Sequence, residues 1–301
     1  MEIIIGTYEQ FLLGFKVQKN EKKYNLERSF ATHSHISSIR SVASKKHYLA
    51  SGGADDTIAL YDMRSRTESG KLMHHDGTVT FLEFTPDGSH LISCSGDASI
   101  AIVRCGNWQL EKLWKDAHKG SPINALAVHP TGKLAMSVGG DGVLRTWNLI
   151  KGRQAYATNL VTRLKYDAKT INVIRWSPSG DKYFVVCNNR LDVYSVETAG
   201  LIFEGIFDNK IVSAQFLNDS DDIVVIGHED GHVRLYNIND KNELFVIKGH
   251  EARVKCVECK NDQIVTVSST GEIKLWKFIN GRLKQLANAN ADSRITCMTL
   301  I

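Results

Sequence analysis

Ser51-Gly52-Gly53-Ala54-Asp55-Asp56-Thr57-Ile58-Ala59-Leu60-Tyr61-Asp62 reads as one strand, a tight turn and a second strand. Gly and Asp suit the turn because they tolerate the backbone that a tight hairpin needs. Apolar residues at Ile58 and Leu60 then lead to an aromatic, Tyr61. The arrangement returns along the whole chain. Short strands end at Phe15, Tyr61, Val103, Trp147, Tyr194, Tyr236 and Trp276, at intervals of 46, 42, 44, 47, 42 and 40 residues. Six residues before these positions stand Glu9, Asp55, Asp97, Asp141, Asn188, Asp230 and Thr270.

A further strand precedes each hairpin, with apolar residues three apart at Ile39/Val42, Val79/Leu82, Ile123/Leu126, Ile171/Ile174, Val254/Val257 and Ile295/Met298. Three of the four prolines recur in one turn motif, Thr85-Pro86-Asp87-Gly88, His129-Pro130-Thr131-Gly132 and Ser177-Pro178-Ser179-Gly180. Proline second and glycine fourth is turn chemistry. A period in this range denotes stacked supersecondary units, and 301 residues hold seven of them.

Composition narrows the function classes. With 43% hydrophobic and 23% charged residues the chain is of globular type, and a net charge of +4 does not by itself call for nucleic acid. No apolar run approaches the roughly 18 residues of a membrane span, and the start lacks the pattern of a secretory signal. A soluble intracellular protein with no membrane partner is expected. The six cysteines then read as reduced thiols. Cys256-Val257-Glu258-Cys259 lacks the second ligand pair that a zinc site needs, so it reads as strand. No phosphate loop, metalloprotease or nucleophile-elbow motif occurs, and neither an enzyme nor a cofactor is expected.

The repeats resemble the WD-repeat family: Tyr61-Asp62 stands for its Trp-Asp pair, Trp147 and Trp276 keep the Trp, and Gly249-His250 matches its Gly-His pair. The resemblance covers the whole chain and implies an all-β, seven-bladed β-propeller. It also implies a structural role for His118, Ser137, Asp141 and Trp147, with related sets at His35/Ser51/Asp55/Tyr61 and His75/Ser93/Asp97, and further members at Asp230, His250 and Trp276. A hydrolase triad is placed once, whereas these sets recur. The chain reads as one domain over 1–301. About residues 1–31 supply three strands and 293–301 supply an innermost one, so their pairing closes the ring and buries both open edges.

Cations gather at Lys16, Lys19, Lys22, Lys23 and Arg28, at Lys274, Lys277, Arg282 and Lys284, and along Asn148–Lys169, the longest irregular connection. Lys119, Arg145, Lys151, Arg153, Arg163 and Lys165 are the candidate partner-binding residues, because loops on a rigid ring collect binding groups. The first and third clusters are expected to adjoin across the closing blade.

Longer stretches narrow the resemblance. Gly6-Thr7-Tyr8-Glu9-Gln10-Phe11, His74-His75-Asp76-Gly77-Thr78-Val79-Thr80, Ala117-His118-Lys119-Gly120 and Arg175-Trp176-Ser177-Pro178 are similar to the PAK-interacting-protein-like WD-repeat proteins and their fungal Mak-type counterparts. That likeness implies a non-catalytic platform for assembling the large ribosomal subunit in the nucleus and nucleolus. Its implied partners are pre-ribosomal proteins and pre-rRNA, met as a single copy within a larger assembly. The alternative it implies is an adaptor that restrains a p21-activated kinase.

Overall fold

The computed structural model describes residues 1–20, 23–279 and 281–301. Lys22, one of the expected basic residues, lies outside them. The described chain forms seven four-stranded antiparallel sheets arranged as the blades of a propeller. Blade 1 holds Ile295–Leu300, Glu2–Thr7, Leu12–Asn20 and Lys23–Thr32 in that order, from the axis outward. Blades 2 to 7 follow in chain order, with innermost strands Ile39–Lys45, Val79–Phe84, Ile123–Val128, Ile171–Trp176, Ile211–Phe216 and Val254–Lys260.

Ring closure is as the sequence implied. Ile3 pairs with Leu300, Ile4 with Thr299 and Ile5 with Met298. The reason is visible in the burial pattern: Ile3, Ile4 and Ile5 are all buried, so this strand needs a neighbour on each side and cover on each face.

The four-strand meander returns each outermost strand to the edge where the next innermost strand begins. This edge is termed the upper face. Every innermost strand carries a bulge just after its first residue, as between Ile39 and Ser41, Val79 and Phe81, or Val254 and Cys256. A bulge adds one unpaired residue and redirects its side chain. Here that residue is Arg40, Thr80, Asn124, Asn172, Val212, Lys255 or Thr296, and the seven together surround the mouth of the axial channel. A second irregularity falls at each repeated aromatic position, for example at Trp147 and Tyr194.

Apolar faces of neighbouring blades make the core. Ile92, Ile100 and Ile102 of blade 3 pack with Ile123, Leu126 and Trp147 of blade 4. Trp147 also stacks on Trp114, with ring centroids 4.5 Å apart. Such flat, interdigitated contacts fix the blade-to-blade angle and give a rigid platform.

Candidate functional site

Each blade first has to satisfy the polar groups it buries. In blade 4, His118 Nδ1 lies 3.0 Å from Asp141 Oδ1 and Nε2 lies 2.7 Å from Ser137 Oγ, while Trp147 Nε1 donates to Ser137 Oγ at 2.9 Å. A carboxylate only accepts, so Nδ1 carries the imidazole proton, Nε2 accepts from Ser137, and Ser137 accepts from the indole. Burial pushes the His118 pKa down, which keeps the ring neutral. Burial works to raise the Asp141 pKa, but bonds from Arg145 and His118 bring it below its ordinary value. Gly139 packs against the His118 ring, where a side chain would collide.

The other blades build variants. Blade 2 repeats the chain, with His35 bonded to Asp55 at 3.0 Å and to Ser51 at 2.8 Å, and Ser51 to Tyr61 at 3.2 Å. In blade 3, His75 binds Ser93 at 2.8 Å and Ser99 at 2.7 Å, while Asp97 stands 3.7 Å away and accepts from the Asp76 backbone. His74 Nε2, 3.1 Å from Ser93, takes the place of the absent aromatic. In blade 7, Thr266 takes the serine's place, at 2.8 Å from His250 and 2.7 Å from Trp276, and Glu272 supplies the carboxylate. Thr266 and Glu272 escaped the sequence reading, which sought Ser and Asp at fixed offsets. Asp230 of blade 6 meets Asn209 and His232, not a tetrad histidine.

The upper face carries a concavity of about 490 Å3 at the channel mouth, between blades 7, 1, 2 and 3. Arg40, Arg253, Lys255 and Arg294 line it together with Thr78, Thr80, Ser269 and Thr296. No carboxylate lines it, and among the described residues none of the four cations has an ion-pair partner. The Arg294 guanidinium lies 5.2 Å from the centre of the Tyr8 ring. The four cations are far apart in sequence. They converge because each sits at, or next to, the start of an innermost strand, a signal visible only in the repeat register.

Deeper in the channel, Arg175 donates to Gln215 at 3.0 Å and packs over the Phe81 ring. Burial pushes the Glu83 carboxyl up to about 7, against the pull of Arg175 and of the Val128 amide that it accepts. Burial raises the Glu258 pKa as well.

The six candidate cations do not form one surface. Arg145 is a correction: it is 5% exposed, and its Nη1 sits 2.6 Å from Asp141 Oδ2 and from His118 Nδ1, so it serves the blade interior. Arg163 is not free either, since it pairs with Asp192 at 3.1 Å and Glu204 at 2.8 Å. Lys119 and Lys165 are exposed on the upper face, and Lys151 and Arg153 are exposed at the lower edge of blade 4. The stretch between is not irregular: Arg153–Asn159 is the outermost strand of blade 4, followed by the short helix Val161–Leu164 and a 3-10 segment Lys165–Thr170. The first and third basic clusters do adjoin, for Arg28 donates across the blade 1–blade 7 boundary to the Ala291 carbonyl at 3.2 Å. Lys277 there is held by Asp262.

Among the described residues no helix is long and apolar enough to cross a membrane. The family described as WD domain, G-beta repeat matches residues 24–62, 66–103, 110–148 and 241–277. Each match begins on or near the outermost strand of one blade and ends in the next, the same offset that closes the ring. A Danio rerio p21-activated protein kinase-interacting protein 1-like is 39% identical over 99% of this chain and 80% of its own length. Shk1 kinase-binding protein 15 of Schizosaccharomyces pombe is 28% identical over 99% of this chain and 83% of its own length. Protein MAK11 of Saccharomyces cerevisiae is 27% identical over 99% of this chain and 82% of its own length. A full-length match to such relatives, on a ring of seven WD-type blades, places the chain in the WD-repeat family, within its PAK-interacting-protein-like group.

Proposed function

We propose that the chain is a non-catalytic scaffold for assembly of the large ribosomal subunit, working in the nucleus and nucleolus and contacting pre-ribosomal proteins and pre-rRNA. The observation that carries this reading is the distribution of unpaired cations over a rigid disc. Arg40, Arg253 and Arg294 ring the channel mouth, Lys119 and Lys165 stand on the same face, and Lys151 and Arg153 stand at the opposite edge. A disc with basic groups on two faces suits a part held between several partners, and its recurring His and Asp are absorbed in blade packing. The likeness to MAK11 and to the PAK-interacting proteins supports the same class.

The test is sedimentation of the tagged chain from cell extract through a gradient, with and without ribonuclease. Co-migration with large-subunit precursors, lost on ribonuclease treatment or at high salt, is the expected result. A second reading, an adaptor that binds and restrains a p21-activated kinase, is favoured by the kinase partners in the names of the Danio rerio and Schizosaccharomyces pombe relatives. Migration as a small ribonuclease-resistant complex containing a kinase would overturn the first reading in favour of the second.

A further inference from the structure

We infer that the concavity at the channel mouth is a docking site for an acidic peptide segment that alternates carboxylate and aliphatic side chains. Charge supplies the first half of the argument. Arg40, Arg253, Lys255 and Arg294 converge on one space of about 490 Å3 without a carboxylate in its lining. Four like charges brought together without partners repel one another, and an anionic occupant relieves that repulsion. Hydroxyls of Thr78, Thr80, Ser269 and Thr296 add donors to the same wall.

Apolar exposure supplies the second half and selects peptide over nucleic acid. Ile36 is 84% exposed and Met73 is 78% exposed. They lie on the two connections that lead into Arg40 and Thr78, the residues that border the concavity on its blade 2 and blade 3 side. Nucleic-acid recognition relies on cations and on aromatic faces for stacking. Paired exposed aliphatic side chains beside a basic pocket suit the mixed chemistry of a protein segment.

These connections are held in place. The Ile36 amide donates to Asp55 at 2.9 Å, and the Asp76 amide donates to Asp97 at 2.8 Å. The carboxylates of the blade interiors therefore fix the loops that present Ile36 and Met73. A pre-ordered surface loses little conformational freedom on binding. The site extends the scaffold reading by naming the chemistry of one partner, and it stands apart from the identity of the assembly.

Fluorescence anisotropy with the full chain tests it. The probe is a labelled synthetic peptide alternating glutamate and leucine. Competitors are a glutamate–serine peptide, a lysine–leucine peptide and a single-stranded oligouridylate of matched length. The glutamate–leucine peptide is expected to bind, more weakly as salt rises. Arg40→Glu with Lys255→Glu is expected to weaken binding about tenfold or more. Ile36→Ser with Met73→Ser is expected to weaken it about tenfold while leaving the salt dependence in place. Lys151→Glu with Arg153→Glu, at the opposite edge, is expected to change nothing. Should reversal at Lys255 disturb the blade, Arg40→Gln with Arg253→Gln, both exposed, is expected to give a loss of about threefold at an unchanged melting temperature.

Tighter binding of the oligouridylate with displacement of the peptide would overturn the inference, as would equal binding of the lysine–leucine peptide or full binding by the charge-reversed chain. The assay uses purified chain and a synthetic probe. Its failure leaves the sedimentation result standing, and a failed sedimentation leaves the pocket standing.

Discussion

Blade 4 holds its interior with a neutral histidine set between Ser137 and Asp141, whereas blade 5, next to it on the ring, fills the corresponding space with two arginines and two carboxylates. The repeat position two residues before the aromatic is Arg145 in blade 4 and Asp192 in blade 5, so the sign of the buried charge is inverted. In blade 4 the partner comes from the turn, as Asp141. In blade 5 it comes from the preceding helix and from the same strand, as Arg163 at 3.1 Å and Arg190 at 2.8 Å, with Glu204 binding both arginines. Asn188, at the turn position of blade 5, donates to Asp167 of the 3-10 segment and accepts no histidine. Backbone geometry is thus common to the blades, while each interior is solved separately under one rule, that a buried charge needs a partner. The family match stops at residue 148 and resumes at 241, leaving out blade 5 and most of blade 6, where the common solution is abandoned.

The largest expected effect tests how far the two solutions differ in what depends on them. Asp141→Ala leaves Arg145, 5% exposed, and His118, fully buried, without their carboxylate. The expected cost is about 3–5 kcal/mol, the range for breaking a buried pair from one side. Asp192→Ala removes an equally buried carboxylate, but Arg163 and Arg190 keep Glu204 and are partly open to water. A loss of about 1–2 kcal/mol is expected there. Urea unfolding at pH 7 of both variants measures the difference. Equal losses would erase the distinction between a sealed pair and a solvent-relieved network.

Acid sharpens the same contrast. His75 has its pKa pushed down to about 4, first by burial and next by the neighbouring His74, and burial lowers His118 and His250 in the same direction. Above the ordinary imidazole value of about 6.5 the ring is neutral in both folded and unfolded chains, and the stabilisation is whole. Below it the unfolded chain takes the proton first, so stability falls from about pH 6.5 towards pH 4. For His75 alone the loss by pH 5 is about 2 kcal/mol. Blade 5 buries no histidine and adds nothing to this slope. Urea unfolding between pH 7 and pH 5 is expected to show the fall, and His75→Gln to flatten it. An unaltered slope in that variant would mean that His75 is not the group responsible.

How much of this was legible in the sequence depended on whether a feature kept its register. The aromatic positions and the turn carboxylates recur at fixed offsets, so the seven blades were countable. The N-terminal piece lacked an innermost strand and the C-terminal piece was one, so closure followed from counting edges. Arg145 misled because a cation on a short strand looks the same in sequence whether it faces solvent or a buried carboxylate. Arg163 misled in the same way, its partners Asp192 and Glu204 lying on strands of the next blade. Thr266 and His74 were missed since a hydroxyl or a ring nitrogen can come from a different residue type or a neighbouring position. Arg40 and Lys255 were hidden for a structural reason: the bulge inserts an unpaired residue into the strand, and a period-two reading assigns it to the wrong side.

The smallest effect concerns the hydroxyl that ends each network. Ser137→Ala removes the atom that accepts from the Trp147 indole and donates to His118, stranding two buried groups, and about 1–2 kcal/mol of stability is expected to go with it. Tyr194→Phe removes a hydroxyl whose contact with Asp192 is 3.4 Å long, and Asp192 keeps both arginines. The ring itself stays stacked on Tyr183, centroids 5.1 Å apart, so the apolar packing survives the change. The expected loss is about 0.5 kcal/mol or less, near the limit of urea unfolding. A loss as large as that of Ser137→Ala would show that the tyrosine hydroxyl completes the blade 5 network as the serine completes that of blade 4, and the two interiors would then differ in composition alone.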